Sequence, residues 1–64
     1  MTRKDYQAVA AALKELGVRT ENWQAVTLAA TALALVFERD NPRFNAETFF
    51  NACGLIWTSI GWIR

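Results

Sequence analysis

Apolar residues along this chain form first one helical stripe, then two, and then a dense run with no settled period. Tyr6, Val9, Ala10, Leu13 and Leu16 recur at the spacing of one face of an amphipathic helix. Thr2 precedes that stripe, and its hydroxyl is placed to accept from an otherwise orphan backbone N–H. Asp5, three residues on, completes the pattern of a capping box and complements the positive helix end. Gly17 reads as the stop, because glycine takes the left-handed conformation at no steric cost. The pattern predicts a first helix over about residues 3–16, then a short connector over 18–21.

The second helix is expected over about 22–40, capped by Thr20 or Asn22. It carries two stripes: Trp23, Val26, Ala30, Leu33 and Phe37 on one side, and Leu28, Ala32, Leu35 and Val36 on another. Together they cover more than half its circumference, so this helix calls for neighbours on several sides. Its alanines permit close approach. Asn41-Pro42 ends it, since proline disfavours helical backbone in the residue before it.

A third helix is expected over about 46–53, capped by Asn45. Phe44 before the cap and Phe49 four residues later have the spacing of a hydrophobic staple. Gly54 ends this helix, and Leu55 falls where the apolar residue of a Schellman motif folds back. Six of the last ten residues, 55–64, are large and apolar. Ile56, Ile60 and Ile63 fit a helical face, Gly61 weakens a helix, and the β-branched and aromatic content suits a strand. A single strand would lack a partner in an otherwise helical chain, so a short helix or an ordered extension is the expectation. The fold class is thus all-α: a three-helix bundle plus an apolar C-terminal segment, in one domain over 1–64.

Composition sharpens this picture. The 64 residues are 53% hydrophobic, which favours a packed fold over disorder. A chain this short buries only about 60% of its unfolded surface, so it usually needs a staple, an oligomer or very good helix packing. One cysteine, Cys53, allows no internal disulfide, and the chain has no histidine, so neither a zinc site nor another metal site is expected. The formal net charge is +1, with seven basic and six acidic residues interleaved, which gives no strong field for polyanions. Met1 leads straight into charged residues, unlike a signal peptide. The uncharged run from 22 to 37 is shorter than the roughly 20 residues of a membrane span. A cytoplasmic setting is expected.

The run Thr2-Arg3-Lys4-Asp5-Tyr6 with Ala8 to Leu13, the element Asn41-Pro42-Arg43-Phe44, and Phe49-Phe50-Asn51-Ala52-Cys53-Gly54 carry a resemblance. In these the chain resembles a group of small hypothetical proteins of phages and bacterial mobile elements. The resemblance covers about residues 1–55 and implies a helical fold and a viral or mobile-element origin. The group carries no assigned activity. The tail after Leu55 departs from the group's usual ending.

Candidate chemistry is sparse. Cys53 lacks a histidine partner and sits near a helix C-terminus, where the dipole disfavours a thiolate, so it reads as structural. Glu15, Glu38, Asp40 and Glu47 each sit beside a basic residue or a cap and read as solvated helix faces rather than acid–base pairs. No catalytic or cofactor-binding residue is expected. Arg3, Lys4 and Arg43 lie near helix starts and are the phosphate-contact candidates. Arg43 has a plainer option, to bond carbonyls at the end of the second helix or pair with Asp40. Trp57, Ile60, Trp62 and Ile63 are the protein-contact candidates; they complete the core, or they form a patch for a partner. Arg64 beside them gives only weak membrane anchoring, and a membrane partner is not expected. The sequence thus reads as a non-enzymatic interaction protein, contacting another protein or itself. The competing class is a small nucleic-acid module using Arg3, Lys4 and Arg43.

Overall fold

The computed structural model describes residues 2–58 and 61–63. Three helices, α1 (Arg3–Thr20), α2 (Trp23–Asp40) and α3 (Ala46–Ala52), precede two short strands, β1 (Ile56–Thr58) and β2 (Gly61–Ile63). Each helix packs on the other two, giving the small all-α bundle that the stripes predict.

The local signals act as capping chemistry requires. Asp5 N–H donates to Thr2 Oγ1 at 3.4 Å, and Thr2 N–H donates to Asp5 Oδ2 at 2.9 Å, which closes the capping box. The Thr2 backbone N–H, and then its hydroxyl, hold the Asp5 carboxyl below its usual pKa. Asn22 caps α2 by accepting from Ala25 N–H at 3.2 Å, and Asn45 caps α3 by accepting from Thr48 N–H at 3.1 Å. Phe44 and Phe49 form the expected staple, with ring centroids 5.6 Å apart. At the far end of α3, Gly54 N–H donates to the Asn51 carbonyl at 3.0 Å and Leu55 N–H to the Phe50 carbonyl at 3.1 Å. That bond pair is a Schellman motif, with Gly54 at φ 86° and Leu55 buried, only 2% exposed.

Gly17 does not end α1, which runs on to Thr20. The left-handed residue is Glu21, at φ 56°, whose N–H donates to the Gly17 carbonyl at 2.8 Å. Gly17 serves packing instead. It is buried, and a Cβ placed on it would lie 2.5 Å from the Trp23 ring. The missing side chain lets the indole at the start of α2 lie on the backbone of α1.

Six ring contacts gather the opposite end of the bundle. Tyr6 of α1 meets Phe37 of α2 at 4.8 Å and Phe44 of the α2–α3 turn at 4.9 Å; Phe37 meets Phe44 and Phe49 at 5.4 Å each. Phe50 joins through Phe49 at 6.1 Å. Tilted and edge-on pairs of this kind add about 0.5–1.5 kcal/mol each beyond the area they bury. The Tyr6 hydroxyl donates to Asp40 Oδ2 at 3.4 Å, a long bond, so the ring supplies most of the attachment. Ala10, Val26, Ala30, Ala34, Cys53 and Leu55 fill the rest of the core. Leu16, expected in the α1 stripe, is 47% exposed.

The tail departs from the expectation of a short helix. β1 and β2 pair antiparallel, with Ile56 opposite Ile63, Trp57 opposite Trp62 and Thr58 opposite Gly61. The partner that a lone strand lacked lies within the tail itself. Gly61, at φ 118°, adopts a backbone that side chains disfavour. A two-stranded ribbon is marginal alone, and here β2 lies against α2.

Two substitutions test this account. Gly17→Ala lowers stability by about 1–2 kcal/mol in urea unfolding, because the overpacking against Trp23 exceeds the helix-propensity gain. In a Trp23→Ala background the same change becomes stabilising, and additive effects in the double-mutant cycle would refute the contact. Glu21→Gly raises stability by about 0.5–1 kcal/mol, since it relieves left-handed strain at a cap.

Candidate functional site

Three surfaces gather the side chains that sequence singled out or that the fold leaves uncovered. The first is the outer face of α2. Its inner stripe is used as expected: Val26, Ala30, Ala34 and Phe37 are buried, and Trp23 and Leu33 pack on them half-buried. Its second stripe stays exposed. Leu28 is 67% exposed, Leu35 56% and Val36 57%, and Ala32 between them is exposed too. At 100° per residue, Leu28, Ala32 and Leu35 sit almost diametrically opposite Ala30 and Phe37. Neighbours were expected on several sides of this helix. α1 and α3 pack on the inner stripe and on each other, with the aromatic rings between them. Sequence periodicity identified this stripe without showing which stripe would stay open.

The second surface is a groove of about 280 Å³ between the first half of α1, the 41–45 turn and α3. Tyr6, Phe44 and Phe49 are among its walls, and Arg3 and Arg43 both line it. The fold therefore brings two of the three phosphate-contact candidates together. Lys4 is exposed and lies outside that lining. Arg43 is held by its backbone, its N–H donating to Asn41 Oδ1 at 3.0 Å in an Asx turn, and its side chain is exposed. Asp40, proposed as its ionic partner, accepts from the Tyr6 hydroxyl.

The third is the hairpin. Among the protein-contact candidates, Trp57, Trp62 and Ile63 belong to the paired strands. Ile60 lies outside the described residues, as do the side chains of the other three.

The remaining chemistry is structural in placement. Cys53 is fully buried, and desolvation pushes its thiol up from 9.0 to about 11. A thiol that resists ionisation is the reverse of an activated nucleophile. Glu15 pairs with Arg19 at 2.7 Å on the exposed face of α1, while Glu38 and Glu47 are exposed. Among the described residues no group of three or more His, Cys, Asp or Glu side chains is placed to hold a metal ion. None of the described helices is long and apolar enough to cross a membrane.

No protein family, curated protein or solved structure compared with the chain matches it.

The buried thiol sets a pH dependence. Its pKa is raised on folding, so its contribution to stability is complete below about pH 9 and is lost as pH rises toward 11. Urea unfolding from pH 8 to 11 will show a decline that Cys53→Ala reduces by the share of one proton. An unchanged slope in that variant would mean that the thiol ionises as freely in the native chain as in the unfolded one.

Proposed function

We propose that this chain is a non-enzymatic interaction protein of a phage or mobile element, acting by protein–protein contact through the outer face of α2. The observation that carries the reading is the exposed stripe Leu28-Ala32-Leu35 with Val36 beside it. Contiguous apolar surface on a small protein usually marks an interface. A helix presenting side chains at i, i+4 and i+7 is also a standard way to fill a partner's groove. The mechanism is occlusion: a helical scaffold, tied at one end by its rings, buries an aliphatic face against another protein. The resemblance to small phage and mobile-element proteins supports a setting in the host cytoplasm. It also makes a host defence protein, inhibited in the manner of anti-CRISPR proteins, one candidate target. That target rests on genomic analogy, not on the geometry.

The second reading, a nucleic-acid module, gains support from the convergence of Arg3 and Arg43 on one groove. Two phosphate contacts account for a salt slope of only about −2, however, against the six to ten contacts of typical specific binders. Protein contact is therefore the reading that the surface favours.

A photo-crosslinking residue placed at Leu28 tests it. In the full chain expressed in a bacterial host, position 28 yields a discrete adduct, whereas the same residue at Lys14, exposed on α1, yields none. Adducts of equal strength at both positions, or at neither, would contradict a contact face on α2.

A further inference from the structure

We infer that the occupant of the α2 face is a second copy of this chain, docked with the two α2 helices antiparallel across a twofold axis. The inference rests on reading that face as a contact surface, and it names the partner and the register. The stripe reads Gln24, Leu28, Ala32, Leu35, Arg39, and all five are exposed. Its apolar centre is nearly its own reverse. When one helix is turned end for end about a point between residues 31 and 32, Leu28 of one copy falls opposite Leu35 of the other, and Leu35 opposite Leu28. A self-complementary patch of this kind is what an isologous interface requires. Ala32 lies beside the axis, where a small side chain permits the roughly 8 Å approach of closely packed helices.

Charge chooses the antiparallel arrangement. In the same register Arg39 of one copy lies opposite Gln24 of the other. Glu21, exposed in the connector just before the α2 cap Asn22, lies three residues before Gln24, at the same end of the face that Arg39 of the other copy approaches. Each end of the interface thus sets a cation against an acid and an amide. A parallel pairing would instead bring Arg39 against Arg39 and Glu21 against Glu21, and would align the two helix dipoles unfavourably.

The area suffices. A specific interface at the low end buries roughly 600 Å² per partner. That is about an eighth of this chain's 4655 Å² surface, and α2 offers a face about 27 Å long at 1.5 Å per residue. Association also answers the problem of size, since chains this short commonly need a second copy to bury enough apolar surface.

The test is sedimentation of the full chain from about 1 to 300 μM, the range over which small interfaces form. The expected mass moves from 7.2 kDa toward twice that value. Leu28→Glu weakens association by at least about tenfold, as does Arg39→Glu, which sets acid against Glu21. Circular dichroism of both variants retains the wild-type helical signal, since both positions are exposed. Combining Arg39→Glu with Glu21→Arg restores the dimer, a rescue that only the antiparallel register predicts. A monomer across the whole range, a dimer indifferent to Leu28→Glu, or a double variant as weak as the single one would each overturn the inference. A monomer that still gives a position-28 adduct of heterologous mass would remove the second copy while leaving the contact face in place. A monomer without any adduct would remove both.

Discussion

The constraint that shapes this molecule is that its central helix is apolar on two sides and, among the described residues, only one of them is buried. α2 has core residues on one side and Leu28, Ala32 and Leu35 on the other. α1 and α3 pack on the inner side, and β2 also lies against α2. Burial is worth roughly 25 cal/mol per Å² of apolar area. Three exposed aliphatic side chains on one helix therefore represent an unused driving force that is large for so small a domain. The bundle can be complete as a fold and still incomplete as a surface.

What makes the bundle hold despite its size is the concentration of rings at one end. Tyr6, Phe37, Phe44 and Phe49 come from α1, α2, the turn and α3, so one cluster ties every helix to the others. At the other end the link is different: Trp23 lies on the bare backbone of Gly17. Besides the rings, the core consists of Ala10, Ala30, Ala34, Val26, Cys53 and Leu55, and the alanines let α2 sit close to its neighbours.

Much of this was legible in the chain. The cap at Asn45, the staple of Phe44 on Phe49 and the Schellman turn at Gly54 and Leu55 each depend on residues within a few positions of one another, so local pattern determines them. Gly17 misleads because one residue type serves two purposes: a glycine after a helical stripe signals a stop, but tertiary packing of Trp23 needs it inside the helix. No local rule points to Glu21 as the left-handed residue. The hairpin departs from the expectation because each strand's pairing partner lies within the same ten residues, and because Gly61, which reads as a weak helix position, opens β2 with a positive φ. Of the candidate site, the sequence supplied Arg3 and Arg43 as separate residues; only the fold shows that they share a groove. It supplied the stripe on α2 as an expected core face, and tertiary packing turned that stripe outward.

If a second copy covers that stripe, folding and association are linked, and stability must depend on how much protein is present. The most direct measurement is the thermal unfolding midpoint of the intact chain over a hundredfold range of concentration, followed by the helical signal. The midpoint is predicted to rise steadily with concentration in the wild-type chain and to stay level once Leu28 is made acidic. A midpoint that is the same at every concentration in the wild-type chain would contradict the account.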